Sequence, residues 1–279
     1  MSDKLIRVLG AENEYIVKAL VATELVEKAR TRQGCNRVAA SCLGEILMGA
    51  ILMEDSSKNE GETLTLELEG EGIKILASAD KKGSVVGRVS DPNMAHEIKR
   101  GSLSVIKDQG MRAPYRSTLP LVDEGIAKNL IGYYAYSEQL PTYFSLGVSL
   151  NDKGKVECAY GYMVQALPFA SKEAKKAIVS NLERMPSKEE ILSRKETPER
   201  LVSLLLNGLS QTKTEEMPIR FHCSCSKNSG LKLLRGLGAN ELKQMIEEGK
   251  PVEITCGLCG KKYVYPLESI EALLEEPKA

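Results

Sequence analysis

Alternating apolar and polar residues predict that residues 1–170 form a mixed α/β domain. Residues 63–69 read T-L-T-L-E-L-E, the clearest strand pattern, because every second side chain is apolar. Other short strands are predicted over 4–10, 15–22, 73–79, 84–90, 102–107, 143–150 and 155–167, and helices over 24–32, 38–53 and 125–136. Because turns such as Asp80-Lys81-Lys82-Gly83 join several of these strands directly, we expect an α+β fold with largely antiparallel sheet.

The pattern changes after Pro168. Residues 171–219 are dense in Lys, Arg and Glu, their apolar residues recur at helical spacing, and Pro186 and Pro198 interrupt them. Two interpretations stay open: an ordinary helical connector packed on its neighbours, or a metastable linker whose apolar faces need docking partners. Short isolated helices rarely persist in water, so these helices depend on such packing.

Residues 220–279 form a C-terminal module that carries two cysteine pairs. Cys223 and Cys225 form a C-x-C pair, and Cys256 and Cys259 form a C-x-x-C pair. Within the module we predict a helix inside 231–248 and strands over 252–255 and 263–265. The domains predicted are therefore 1–170, a linker over 171–219, and this module.

Four thiols in two tight pairs are the ligand set of an all-thiolate zinc site, and they can also form two disulfides. Gly257 and Gly260 permit the tight backbone that such a site needs. A module this small buries little surface, so a bound metal would supply much of its folding free energy. Four basic residues near the cysteines in sequence could offset the charge of four thiolates: Arg220, Lys227, Lys261 and Lys262.

Composition narrows the functional classes. Lys plus Arg and Asp plus Glu number 38 each, and the chain has three Phe and no Trp, so neither charge nor aromatic content indicates nucleic-acid binding. We see no signal peptide and no membrane-spanning run, and we expect a cytoplasmic protein. In a reducing compartment, seven cysteines favour metal binding or redox chemistry over structural disulfides.

Other candidate residues carry less weight. Cys35, Cys42 and Cys158 are interpreted as core residues, and His222 as a surface residue rather than a fifth ligand. His96 has no nucleophile beside it, and the polar run Ser137-Glu138-Gln139 has no partner constellation in sequence. With no hydrolase triad and no phosphate-binding glycine loop, we expect a protein that is not an enzyme.

Several motifs resemble the redox-regulated heat shock protein 33 family of holdase chaperones, over nearly the whole chain. Besides the cysteine spacing, the segments that carry the resemblance are Asp108-Gln109-Gly110 with Pro114-Tyr115, residues 133–142 (YYAYSEQLPT) with Leu146-Gly147-Val148, Gln165-Ala166-Leu167-Pro168, and residues 221–226 (FHCSCS). Two departures from the family pattern are a shorter stretch between Pro92 and Gly101, and Tyr160-Gly161-Tyr162 in place of a glycine pair. The second is expected to alter packing under the linker.

The resemblance implies zinc on Cys223, Cys225, Cys256 and Cys259 in a reduced, inactive form. It implies disulfides Cys223–Cys225 and Cys256–Cys259 in an oxidised, active form that dimerises and binds unfolded client proteins without ATP. Two alternatives are a zinc-ribbon nucleic-acid-binding protein and a thiol-disulfide oxidoreductase that uses Cys256 and Cys259. The weak net charge of the module argues against a nucleic-acid-binding protein. A catalytic C-x-x-C usually opens a helix, so the strand expected after Cys256 and Cys259 argues against an oxidoreductase.

Overall fold

The computed structural model describes residues 2–54, 61–110, 113–122 and 125–275 of the chain. These residues form two compact units, 1–222 and 223–279, which we describe separately. The strands are β1 (Lys4–Gly10), β2 (Tyr15–Val21), β3 (Thr63–Gly70), β4 (Ile73–Asp80), β5 (Ser84–Val89), β6 (Ser102–Asp108), β7 (Tyr115–Pro120), β8 (Thr142–Leu150), β9 (Val156–Ala166), β10 (Gln211–Pro218), β11 (Arg220–Phe221), β12 (Val252–Thr255) and β13 (Lys262–Tyr265). The α-helices are α1 (Thr23–Gln33), α2 (Arg37–Met53), α3 (Ile126–Tyr133), α4 (Lys172–Glu183), α5 (Lys188–Arg194), α6 (Pro198–Leu205), α7 (Lys227–Leu237), α8 (Ala239–Glu247) and α9 (Leu267–Glu275).

Two sheets build the first unit. One has the strand order β10-β1-β2-β9-β8 and the other the order β11-β5-β4-β3-β6-β7. Every pairing in them is antiparallel except the two-residue pairing of β11 with β5. The predicted α+β class with largely antiparallel sheet is therefore confirmed.

Helix α2 is the centre of the first unit. It packs against β3, β4 and β5 of one sheet and against β8 and β9 of the other. Nearly all of its side chains from Ala39 onward are buried, as the apolar run over 38–53 predicts. The helix begins where the Asn36 side chain accepts a hydrogen bond from the Ala39 amide at 2.9 Å, which satisfies one of the free amides of the first turn.

Helices α4, α5 and α6 cover one face of the five-stranded sheet. Their N-caps are Ser171, Ser187 and Thr197, each of which accepts a hydrogen bond from an amide of the first turn. Their buried residues form one apolar cluster with the sheet, and its members include Ile6, Val8, Tyr160, Tyr162, Ile178, Ile191, Leu201 and Leu205. Tyr160 and Tyr162 thus lie under the helices of residues 171–219, the segment predicted to be a linker.

The segment over 171–219 is helical only as far as Leu205. Residues 211–218 form β10, which the sequence does not predict, because seven of its eight side chains are exposed and show no apolar alternation. Strand β7 was missed for the same reason, since none of its side chains is buried. The predicted helix over 125–136 divides into α3 and a π-helical turn over Tyr134–Glu138.

The second unit is a hairpin with three helices. Strands β12 and β13 pair antiparallel from Val252↔Tyr265 to Thr255↔Lys262. Its small core consists of Leu234, Leu242, Tyr265, Ile270 and Leu273. The predicted strands are confirmed, the predicted helix is the pair α7 and α8, and α9 was not anticipated. Among the described residues, none of the helices combines the length and the apolar character that a membrane span requires.

Candidate metal centre

The two cysteine pairs lie on two separate turns of the second unit. Cys223 and Cys225 precede α7, and Cys256 and Cys259 lie in the turn between β12 and β13. The Cys256 amide donates to the Lys261 carbonyl at 2.8 Å, and the Gly260 amide donates to the Cys256 carbonyl at 3.0 Å. Gly260 has a φ of 71°, in the left-handed region that favours glycine, as predicted, whereas Gly257 has no positive φ.

The four sulfur atoms lie within 4.8 Å of one another. The Cys223–Cys256 Sγ–Sγ distance is 3.9 Å, and the Cys225–Cys259 distance is 3.5 Å. A tetrahedral zinc site with bonds of about 2.3 Å places its sulfurs about 3.8 Å apart. All four are free thiols, with Cys259 buried and the other three half-buried. The donor set and its spacing therefore fit a four-thiolate metal site.

The thiols differ in their tendency to ionise. Burial raises the pKa of Cys223 and of Cys259 above the ordinary thiol value, and neighbouring sulfurs add to the rise. Burial acts in the same direction on Cys225, but hydrogen bonds from the Tyr263 hydroxyl and from the other thiols outweigh it and lower the pKa. Four adjacent thiolates repel one another, so a cation is what would allow all four to ionise together.

Two tyrosines for which the sequence pattern indicates only a strand connect the segments that carry the two cysteine pairs. The Tyr263 hydroxyl donates to the Cys225 carbonyl, and the Tyr265 hydroxyl donates to the Lys227 carbonyl, both at 2.9 Å. Because side chains two apart on a strand share a face, β13 presents both hydroxyls to the chain segment after the first cysteine pair. The available sequence signal was the Tyr-x-Tyr spacing four residues after Cys259.

The basic residues near the cysteines in sequence have individual partners. The Lys262 ammonium pairs with Glu253 at 2.9 Å, and the Lys261 ammonium lies 4.7 Å from the centroid of the Tyr263 ring. The Lys227 ammonium lies 5.9 Å from the Tyr265 ring centroid. In the first unit, Arg220 Nε donates to Ser84 Oγ at 3.2 Å. The expected charge compensation by Lys262 is thus shared with a carboxylate.

The remaining cysteines are core residues of the first unit, as predicted. Cys35, Cys42 and Cys158 are each at most 4% exposed. Burial raises the pKa of Cys35 to about 11 and that of Cys42 to about 12. His222 and His96 are both exposed, and neither belongs to a metal-ligand cluster among the described residues.

The polar run at Ser137-Glu138-Gln139 has partners that the sequence did not reveal. Lys107 Nζ donates to Glu138 Oε1 at 2.6 Å, and the Tyr133 hydroxyl donates to the same oxygen at 2.5 Å. The Ser137 and Ser117 hydroxyls lie 2.9 Å apart. These contacts hold the π-helical turn against β6 and β7.

The fold and the site together define a class: an α+β protein with two antiparallel sheets and a small C-terminal unit that holds four clustered cysteines. The family model described as Hsp33 protein matches residues 3–266. The chain belongs to this family, and it is an Hsp33-type chaperone with a cysteine cluster able to hold a metal ion.

Several proteins of known name are similar in sequence to this chain over nearly the whole length of both chains. A 33 kDa chaperonin of Clostridioides difficile strain 630 is 34% identical over 99% of this chain and 100% of its own. One from Lachnoclostridium phytofermentans is 32% identical over 98% and 99% of the two chains. The crystal structure of the Thermotoga maritima 33 kDa chaperonin superimposes with a TM-score of 0.87 at 28% identity, over 99% of this chain and 98% of that one.

Proposed function

We propose that this chaperone is a redox-regulated, ATP-independent holdase. Reduced protein holds zinc on Cys223, Cys225, Cys256 and Cys259 and is inactive. Oxidation forms disulfides Cys223–Cys225 and Cys256–Cys259, releases zinc, and unfolds the C-terminal module and the linker. The oxidised protein, a homodimer, then binds unfolding proteins and protects them from aggregation under oxidative stress.

The observation that carries this proposal is the cluster of four free thiols in a unit with a core of only a few residues. The cluster brings together two segments about thirty residues apart in the chain, so a bound metal would cross-link them. Structural zinc contributes on the order of 10–16 kcal/mol of apparent folding free energy to small modules, far more than such a core provides. Loss of the ligands would therefore unfold the unit.

The oxidation step needs a peroxide or a comparable two-electron oxidant. For each pair, two thiols lose two electrons and two protons and form one S–S bond, while one hydrogen peroxide is reduced to two waters. Pairing within each turn removes every ligand and leaves no covalent link between the turns. Pairing across the turns, Cys223 with Cys256 or Cys225 with Cys259, would preserve that link and keep the unit folded.

The linker interpretation of residues 171–219 is part of the proposal. Helices α4, α5 and α6 are short, and their buried apolar residues form one cluster with the five-stranded sheet. Such helices are marginal alone, so undocking would unfold them and uncover the sheet face beneath. Clients would bind through non-directional apolar contact, with no catalytic residue and in the cytoplasm.

The alternative functions have weaker support. Residues 220–279 carry nine Lys or Arg and eight Asp or Glu, which is not the basic surface of a nucleic-acid-binding module. The C-x-x-C pair leads into β13 rather than into a helix, unlike the pair of a thiol oxidoreductase. A salt-dependent affinity for RNA, or turnover in insulin reduction, would favour one of these instead.

The test is a graded titration with hydrogen peroxide, in which zinc, free thiols and suppression of client aggregation are measured in parallel. We expect four thiols and one zinc to be lost together and suppression to rise with that loss. Disulfide mapping by mass spectrometry should find the two pairs within the turns. Cys158→Ala, outside the cluster, should behave like the unchanged chain, whereas Cys256→Ala should lose zinc without oxidant. Equal suppression before and after oxidation would contradict the proposal.

A further inference from the structure

Strand β10 pairs with the outer edge of β1, but few of its side chains stabilise this pairing. It pairs with no strand other than β1 among the described residues, from Lys4↔Pro218 to Gly10↔Gln211. Seven of its eight side chains are exposed, and the eighth, that of Met217, is half-buried. The backbone ladder therefore supplies most of the contact, and little apolar burial supports it.

The ion pairs along this edge are on the surface. Lys4 pairs with Glu216 at 2.9 Å and also with Glu199, and Arg7 approaches Glu215 at 3.9 Å. Exposed pairs of this kind contribute little and weaken with salt. They set the register of β10 on β1 more than they hold the strand in place.

The side chains of β10 also fit poorly where they meet the apolar cluster. The register sets Thr214 opposite Val8 and Glu216 opposite Ile6, and neither is apolar. A groove of about 420 Å³ runs along this side of the strand, and Ile6, Val202, Leu206 and Leu209 are among its lining residues. An extended segment with apolar side chains at these two positions would bury surface that β10 leaves open.

The N-terminal end of β10 joins a segment that the proposed function unfolds, because α6 precedes it. At its C-terminal end, the two residues of β11 pair with β5, and the second unit follows them. When α6 and the second unit lose their structure, β10 is anchored at one end, through β11, and its length along β1 can leave. Its departure would leave the outward amides and carbonyls of β1 without partners, and such an edge pairs readily with another extended chain.

We propose that the outer edge of β1 is a docking site for an extended, apolar-rich segment of an unfolded client, and that β10 occupies this edge in the reduced protein. This inference rests on the proposed function and adds directional backbone pairing to the non-directional apolar contact. The occupant is an unfolded client rather than a folded partner, because the site takes one extended strand and the resident occupant is itself such a strand.

The direction of the β1 amides makes the proposal measurable. The Ile219 amide donates to the Asp3 carbonyl at 3.2 Å, and successive residues of a strand point their backbone groups to opposite sides. The amides of Leu5, Arg7 and Leu9 therefore face β10. Those of Ile6 and Val8 face β2 and are an internal control in the same strand.

The experiment is residue-resolved hydrogen exchange on the full chain, measured in its reduced form and after oxidation with peroxide. Each form is measured alone and with an unfolded client, α-lactalbumin whose disulfides have been reduced and carboxymethylated. After oxidation we expect exchange of the outward amides to accelerate about tenfold or more, and added client to restore their protection. The inward amides should stay slow throughout. Complex formation between the chain and this client is measured in the same samples by size-exclusion chromatography.

Each other outcome overturns the proposal. Outward amides that stay slow after oxidation mean that β10 remains in place. Outward amides that stay fast while the client co-elutes with the oxidised chain mean that the client binds elsewhere, and the proposed function then stands without this site. If protection of the outward amides in the oxidised protein returns at higher protein concentration without client, the edge binds a second copy of the chain. Failure to hold the client overturns the proposed function itself.

A pair of proline variants tests the same site in the reduced protein. By the same alternation, the Glu215 amide donates to β1, whereas the Glu216 amide faces solvent, as the position of the natural Pro218 does. Glu215→Pro should loosen β10 and give the reduced protein measurable client capture. Glu216→Pro also loses an ion pair with β1 but keeps the ladder, and should stay inactive. Equal behaviour of the two variants would count against the edge, provided that Ile6 and Val8 remain protected in both.

Discussion

The ion pair between Glu45 and Lys188 connects the segment proposed as the linker to the centre of the first unit. Lys188, at the start of α5, donates to Glu45 of α2 at 2.7 Å. The Glu45 side chain is 14% exposed and that of Lys188 is 46% exposed. Burial raises the pKa of Glu45 and the nearby Glu97 adds to the rise, while Lys188 opposes it.

Replacing Lys188 with Met should weaken the docking of α5 by about 1–2 kcal/mol. Exposed pairs contribute less than about 1 kcal/mol, and removing one partner of a fully buried pair costs about 3–5 kcal/mol. The cost for this pair should lie between these two values, because the Glu45 side chain is mostly covered and that of Lys188 is nearly half in solvent. The cost should shrink as the pH falls through the raised pKa of Glu45, since a protonated carboxyl no longer needs the cation.

The assay is hydrogen exchange at the amides of Ile191 and Leu192 in the reduced, zinc-loaded protein. A loss of about 1–2 kcal/mol accelerates exchange roughly 5- to 30-fold, after correction for the intrinsic pH dependence of exchange. Lys176→Met, at an exposed position of α4, is the matched control and should leave these amides unchanged. The reasoning fails if Lys188→Met has no effect, or if its effect grows as the pH falls.

Three further predictions concern the packing of both units. Gly230→Ala should prevent stable folding of the second unit, because the new Cβ would lie 1.9 Å from the Tyr265 hydroxyl oxygen. Gly236→Ala, on the same helix but with nothing within 4 Å of the new Cβ, should stabilise the unit by about 0.5–1 kcal/mol. Retention of zinc in the presence of a chelator would measure both effects. Asp3 has a pKa raised to about 6 from 3.8, so its contribution to stability falls as pH rises through this range; Asp3→Asn should flatten that part of the profile in thermal unfolding at several pH values. Iodoacetamide at neutral pH, followed by mass spectrometry, should leave the three cysteines of the first unit unmodified in the native protein, since they are buried with raised pKa values, and early modification would contradict this.

The sequence predicted the elements whose pattern is local. The alternation in residues 63–69 and the apolar run of α2 are strong because one face, or the whole helix, is buried. The cysteine cluster was equally visible, because short pairs with turn glycines bring their sulfurs together under few constraints. Strand β10 could not be found in this way, because its extended form depends on β1 at the other end of the chain.

The supporting contacts of the site also escaped prediction. Tyr263 and Tyr265 read as ordinary strand residues, and their hydroxyl partners are fixed only when β13 meets the segment after Cys225. The hydrogen bonds of Glu138 could not be predicted either, because its partners Lys107 and Tyr133 come from different elements. Hydrogen bonds between distant segments follow from tertiary packing rather than from local spacing.

The pairing of the first strand with a strand near residue 218 has a consequence for synthesis on the ribosome. The ion pair between Lys4 and Glu216 spans 212 positions of the chain. At a synthesis rate of about 5–20 residues per second, β10 is made roughly 10–40 s after β1, and the outer edge of β1 stays unpaired for that time. During that interval the nascent chain presents an open strand edge of its own, so this chaperone is itself exposed to aggregation until its last third emerges.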